Sequence, residues 1–182
     1  MSNFNFLAKP QSKRSIIELV NELKRAIHIE DQLYVDVLGF VEGILPKLDR
    51  VLFPDEKPFN YDYVGKDELP QGVYAYYNPF DNTMRIREDV YERAYNDNGR
   101  DRFTVAHEIG HYFMTHLGLR LCRKNYVPEK YEDPEWQANC FASEFLMSTA
   151  LIRGLAISQI VDTCKVSWQA AEIAYDNAKK AT

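Results

Sequence analysis

Two histidines and a glutamate in the middle of the chain have the types and spacing of a metal site. His107, Glu108 and His111 form the sequence H-E-x-x-H, which on a helix is typical of zinc peptidases. Residues i and i+4 project from the same side of a helix, so both imidazoles can bind one ion at ~2.0–2.1 Å. Glu108 is displaced around the helix from that pair. We therefore predict one Zn²⁺ per chain, held by His107 and His111, with Glu108 as the general base.

This set of residues predicts the hydrolysis of amide bonds. Zinc lowers the pKa of a bound water to roughly 7 and polarises a carbonyl group. A nearby carboxylate can take the proton from that water and later pass it to the leaving amine. Two alternatives use the same residues: a closed fourth ligand would make the site structural, and a chance spacing of two surface histidines would bind nothing.

A third protein ligand completes a site of this kind. The metzincin pattern requires a histidine six residues after His111, but the sequence has Leu117 there. Acidic residues at a suitable distance after His111 are Glu132, Asp133, Glu135 and Glu144.

Glu135 is the third ligand that we predict. Asp133 followed by Pro134 indicates the start of a helix, in which Asp133 serves as the N-cap. Glu144 lies nine residues after Glu135, on the opposite face of that helix. Asn139 lies one turn after Glu135 on the same face, and we expect it to hydrogen-bond a zinc-binding histidine and fix its tautomer.

Helical periodicity places the motif among several helices. It predicts helices at 16–27 after Ser12, at 33–48, at 100–116 around the motif, and from Pro134 to about Ser148. Residues 157–180 contain two short helical patterns that separate near Lys165. This tail resembles a helix-turn-helix, but its second helix is basic only at its end, so we expect a packing or partner-docking element and not a DNA reader.

Two short strands are predicted before the motif helix, at 73–77 and 83–87. The first could simply pack its alternate side chains, or it could pair with the backbone of a substrate at the edge of a cleft.

An oxyanion formed during hydrolysis also needs a hydrogen-bond donor. Tyr126 and Tyr131, between the two zinc-site helices, are both candidates for that donor.

Length, charge and cysteine content limit the possible classes of protein. A chain of 182 residues favours one domain, and a net charge of -5 does not favour direct nucleic-acid binding. Residues 1–10 lack a secretion signal, and no segment has the ~20 continuous apolar residues of a membrane helix. The three cysteines show no C-x-x-C spacing and are predicted to be reduced. We therefore expect a cytoplasmic protein that is not bound to a membrane.

Two blocks of sequence resemble the ImmA/IrrE family of metallo-endopeptidases. The first is R-F-T-V-A-H-E-I-G-H-Y at 102–112, and the second is E-W-Q-A-N-C-F-A at 135–142, followed by Phe145-Leu146-Met147. Their order and spacing match over about residues 70–150. Two positions differ from a common family pattern: Ser148 stands where proline is frequent, and Gln137 where glutamate is frequent.

The resemblance implies a fold and an activity. The expected fold is α+β and zincin-like, with a small antiparallel or mixed sheet, the motif helix at its centre and flanking helices. We expect a single domain over 1–182, in which N-terminal helices occupy 1–52, the zinc-site core 59–148 and a helical extension 149–182. By position, the resemblance assigns zinc binding to His107, His111 and Glu135, and catalysis to Glu108.

The resemblance also implies a substrate, because family members include regulators that cleave helix-turn-helix repressors. We therefore expect limited cleavage of such a repressor in a phage or mobile element. The alternative is a non-enzymatic regulator that keeps zinc as a structural or sensing site and acts by binding its partner protein.

Overall fold

The computed structural model describes residues 4–123 and 129–180 of the chain. Within these ranges, the α-helices are α1 (Lys13–Ala26), α2 (Val37–Gly39), α3 (Leu45–Leu52), α4 (Glu88–Tyr95), α5 (Gly99–His116), α6 (Pro134–Leu146), α7 (Thr149–Ile152), α8 (Ile157–Cys164) and α9 (Trp168–Lys180). The strands are β1 (Phe4–Ala8), β2 (Asn60–Val64), β3 (Ala75–Asn78), β4 (Thr83–Arg87) and β5 (Leu119–Arg123). The helices lie around a small mixed sheet, so the fold is α+β, as predicted. This fold is consistent with a zincin-like peptidase.

The three-stranded sheet has the order β2-β4-β3, in which β2 runs parallel and β3 antiparallel to β4. Strand β4 has the predicted bounds, whereas β3 begins two residues later than predicted. The delay has a local cause: Val73 donates its backbone N–H to the carbonyl of Pro70, closing a turn in which Gly72 has a φ of 85°. A second sheet pairs β1 with β5 in antiparallel orientation.

The two N-terminal helical segments differ in how well their bounds were predicted. Ser12 caps α1 by accepting the N–H of Ser15 at 3.0 Å. The second segment runs over 37–52 instead of 33–48, since the side chain of Asp36 caps its start. A π-helical stretch at 40–44 separates α2 from α3. Pro46 follows this stretch, and its lack of an N–H interrupts the regular i−4 bonding.

Helix α4 was not predicted, because only two of its eight residues, Val90 and Ala94, are fully buried apolar side chains. Such a short helix shows little periodicity in its sequence. Asp89 accepts hydrogen bonds from the guanidinium groups of Arg87 and Arg93. These bonds outweigh the partial burial of the carboxylate and lower the pKa of Asp89 to about 2.

Helix α5 lies at the centre of the fold, and it packs most closely against α6. The two helices are in close contact at Gly110, where an added β-carbon would lie 2.9 Å from the carbonyl oxygen of Ala138. Next to this contact, the rings of Phe113 and Phe141 stack with centroids 5.3 Å apart. The two helices therefore hold a fixed relative position at the level of the H-E-x-x-H motif.

Two buried polar residues connect α5 to the chain on either side of it. Arg102 donates to the carbonyl oxygens of Val35 at 2.8 Å and Lys165 at 3.0 Å, which joins the N-terminal and C-terminal segments. Asp49 accepts hydrogen bonds from Tyr112 at 2.7 Å and from the backbone of Phe59 at 2.8 Å. Removing either side chain would leave several buried polar groups without a partner.

The C-terminal tail forms the two predicted helices, α8 and α9, with a break at Lys165, whose φ is 53°. Gly99, at the start of α5, lies so close to Val166 and Ser167 that an added β-carbon would contact their backbone at 2.4 Å.

No helix in the described part of the chain is long and apolar enough to cross a membrane. Cys140 and Cys164 are free thiols, as predicted; the side chain of Cys122 lies outside the described part.

Candidate metal centre

Helix α5 brings the three residues of the motif together. Asn98 caps the helix by accepting the backbone N–H groups of Arg100 and Asp101. One turn of helix separates His107 from His111, and their ring centroids are 4.6 Å apart. Potential ligand atoms of His107, Glu108 and His111 all lie within 4.8 Å of one another. This spacing leaves room for a single ion at the two imidazoles, with Glu108 beside it.

Helix α6 adds a second carboxylate to this group. Asp133 caps α6 by accepting the N–H of Glu135 at 3.0 Å, as predicted from the Asp-Pro pair. The side chain of Glu135 reaches both histidines, with Oε2 at 3.1 Å from Nε2 of His107 and Oε1 at 3.3 Å from Nε2 of His111. The two imidazoles and this carboxylate therefore converge on one point.

Asn139 lies one helical turn after Glu135 and contacts the opposite nitrogen of His107. Its Oδ1 is 3.1 Å from Nδ1 of His107. An amide oxygen only accepts hydrogen bonds, so Nδ1 carries the hydrogen and Nε2 is the nitrogen that faces Glu135. This nitrogen can bind either a proton or a metal ion, and the carboxylate attracts both. The donor set of the site therefore fits a metal ion.

Glu108 is held differently from the other three residues. It is buried, and its Oε2 accepts the backbone N–H of Tyr77 in β3 at 2.8 Å. Burial raises the pKa of the Glu108 carboxyl, against the opposing effect of the two neighbouring histidines. The contact with Tyr77 could not be predicted, because the position of a strand against a helix depends on tertiary packing.

Electrostatic interactions within the site favour positive charge. Hydrogen bonds with His107 and then with His111 hold the pKa of Glu135 well below its usual range. Burial of the His107 imidazole disfavours its charged form, but the hydrogen bond with Glu135 and the charge of Glu108 raise its pKa overall. The same negative potential that favours a proton on His107 would favour a divalent cation.

Other residues in this part of the chain make different contacts. Glu144 is buried and accepts hydrogen bonds from the backbone and hydroxyl of Thr149, at 2.9 and 2.6 Å. His116 stacks on Phe53 and lies 3.3 Å from Glu56. Of the two proposed oxyanion donors, Tyr131 is 46% exposed, and its carbonyl oxygen accepts the side-chain amide of Gln137. Tyr126 lies outside the described residues.

Comparison with known proteins identifies the family. A family model for a group of peptidases, described as the IrrE N-terminal-like domain, matches residues 67–172, more than half of the chain. The chain belongs to this family. A search of curated proteins gives no significant match. The IrrE-like match includes α5, α6 and the H-E-x-x-H motif, and it extends beyond the predicted 70–150 into α9. A metallopeptidase family implies a metal, and the convergent donors described above fit one.

Proposed function

We propose that this chain is a zinc-dependent endopeptidase that cleaves a helix-turn-helix repressor. The observation that carries the proposal is the convergence of His107, His111 and Glu135, next to a buried Glu108 that is held by β3. A structural zinc site has no need of a buried carboxylate that stands apart from the ligands. An enzyme does, because the attacking water must lose a proton.

His107, His111 and Glu135 would hold the ion. Two imidazole nitrogens and one carboxylate are a ligand set that catalytic zinc sites use, with one position left open. When bound, zinc supplies Lewis acidity, which acidifies water and polarises a carbonyl group. Asn139 keeps His107 in the tautomer that presents Nε2.

Glu108 would act as the general base and then as the general acid. Its carboxylate takes a proton from the attacking water and donates it to the nitrogen of the leaving amine. The hydrogen bond from Tyr77 fixes one carboxylate oxygen, so the group stays in place without ligating the metal. Its burial also excludes bulk water from the proton transfer.

Strand β3 would orient the substrate. Among the described strands it pairs only with β4, and the N–H of Tyr77 points from its other edge toward α5. An extended peptide that pairs with this edge would pass beside the metal ligands. This arrangement selects an unfolded or linker segment of a protein, which is consistent with limited cleavage. The family resemblance supports a repressor in the cytoplasm as that protein.

The decisive experiment compares the wild type with Glu108→Gln. Both are incubated with a helix-turn-helix repressor chosen from the neighbouring genes, with and without a chelator, and the products are identified by mass spectrometry. We expect the wild type to cleave at one position, and Glu108→Gln to keep its zinc and fold but not to cleave. Cleavage by Glu108→Gln at the wild-type rate would reject Glu108 as the base. A wild type that binds zinc and the repressor without cleavage would support the non-enzymatic regulator instead.

A further inference from the structure

A large cavity adjoins the metal centre. It has a volume of about 1020 Å³ and lies between α1, α5, α6 and α9. Its lining includes Asn139, whose side chain contacts His107, and Trp136, which follows Glu135 in the chain. Ligand pockets usually measure ~300–1,000 Å³, so this cavity can hold several side chains of a peptide. It does not include the metal ligands themselves.

The charged residues around the cavity are mainly basic. Lys13, Arg100 and Lys130 line it from three different segments, and all three are exposed. None of them forms an ion pair with a described residue. Glu144 is the single acidic residue among the lining residues, and it is already bonded to Thr149. In a chain of net charge -5, this local excess of positive charge is unexpected.

The cavity also has a large apolar component. Phe103 from α5, Trp136 from α6 and Ile173 from α9 all line it. Ile173 is 55% exposed, on a helix that buries Ala171 and Ala174. Exposed apolar surface bordered by charge is typical of a site that binds another protein.

We propose that this cavity binds an acidic, amphipathic segment of the protein substrate, next to the segment that is cleaved. The proposal rests on the function proposed above and names a second recognition site for it. Acidic side chains would pair with the three cations, and apolar side chains would contact Trp136 and Ile173. Because α9 forms one wall, the extension at 149–182 would serve substrate selection.

A peptide fits these observations better than a nucleic acid does. Nucleic-acid binding depends on many phosphate contacts, whereas this cavity offers three cations at its margin. Its lining includes apolar side chains from four helices, and these would remain in contact with water if only phosphates were bound. A peptide that carries apolar side chains next to carboxylates would contact the apolar lining and pair with the cations at the same time.

The test measures binding separately from cleavage. A fluorescein-labelled peptide rich in leucine and glutamate is titrated with zinc-loaded Glu108→Gln protein, and its anisotropy is followed. We expect saturable binding, and a loss of about tenfold or more in the same protein carrying Lys13→Glu and Lys130→Glu, because two attractions become repulsions. Ile173→Ser should also weaken binding, because it removes an apolar contact without changing the charge.

The controls decide between this site and general charge effects. Lys47→Glu with Lys66→Glu makes the same change in charge at two exposed lysines outside the cavity lining, and it should leave binding within about twofold. A peptide with lysine in place of glutamate, and a short single-stranded RNA, should not bind. Equal losses in both double variants, no binding of the acidic peptide, or stronger binding of the RNA would overturn the proposal. A failure to cleave the repressor would not, since this assay involves no hydrolysis.

Discussion

Gly110 of α5 lies directly against Ala138 of α6, so that the two helices approach without an intervening side chain. Gly110 belongs to the H-E-x-x-H motif, and Ala138 lies three residues after Glu135. The close contact therefore sets the distance between the histidines on one helix and the carboxylate on the other.

Gly110→Ala should consequently lower both stability and zinc affinity. The added methyl group would lie 2.9 Å from the carbonyl oxygen of Ala138, which forces α5 and α6 apart. We expect a loss of about 1–3 kcal/mol in the free energy of unfolding, and weaker zinc binding in a chelator competition. Gly43→Ala is the control, because a β-carbon there meets nothing within 4 Å. Unchanged zinc affinity in Gly110→Ala would show that helix spacing does not limit the site.

The purified protein should contain about one zinc per chain, because two imidazoles and a carboxylate form one three-ligand site. Elemental analysis after gentle purification and zinc supplementation measures this directly. His107→Ala and His111→Ala should each lose most of the metal, whereas His28→Ala, at an exposed histidine, should retain it. A metal-free wild type would contradict the central proposal.

The acidic and amide residues of α6 should differ in their effect on zinc. Glu135→Ala should weaken binding most, since this carboxylate contacts both histidines. Asn139→Ala should weaken zinc binding about 10–100-fold, because His107 loses the hydrogen bond that fixes its tautomer. Glu144→Ala should leave zinc affinity unchanged but lower the melting temperature, as Thr149 loses two hydrogen bonds. Metal loss in Glu144→Ala with retention in Glu135→Ala would reverse our assignment.

Lys24 should make stability depend on pH. It is 1% exposed, and its Nζ has no hydrogen-bond partner among the described residues. Burial lowers its pKa to about 8, against the attraction of Glu144. The folded chain therefore binds fewer protons than the unfolded chain between about pH 8 and the ordinary lysine pKa of 10.5, and the wild type gains stability as pH rises through that range.

Lys24→Met should remove this dependence. We expect the variant to have a larger free energy of unfolding than the wild type at pH 7. The difference between the two free energies should shrink by up to about 3 kcal/mol by pH 10.5. Urea denaturation of both proteins at several pH values measures it. Lys47→Met, at an exposed lysine, should show no such change. A difference that stays constant with pH would mean that Lys24 is not buried in its charged form.

Local signals in the sequence predicted the helices that carry the site. The Asp133-Pro134 pair gave the start of α6, and apolar periodicity gave α5 to within one residue. These features could be predicted because caps and periodicity depend only on neighbouring residues. The placement of Glu135 on the face of Asn139 follows from the same helix start.

Features that depend on tertiary packing could not be predicted. The hydrogen bond between Glu108 and Tyr77 joins a helix to a strand 31 positions away in the chain. Strand β2 pairs in parallel with β4, a pairing that no local turn specifies. The basic cavity combines residues from five helices and the segment around Lys130. In each case, the distance between the residues depends on how the helices and strands pack, and sequence periodicity does not predict that packing.

The short sequence separation within the metal site affects how the protein folds. His107 and Glu135 are 28 positions apart, whereas Arg102 and Val35 are 67 apart. For flexible chains, closing the shorter loop costs about 0.8 kcal/mol less entropy than closing the longer one. The segment containing α5 and α6 can therefore assemble before the N-terminal and C-terminal segments dock through Arg102. A metal ion bound between α5 and α6 would stabilise every state of the chain in which these two helices are packed together.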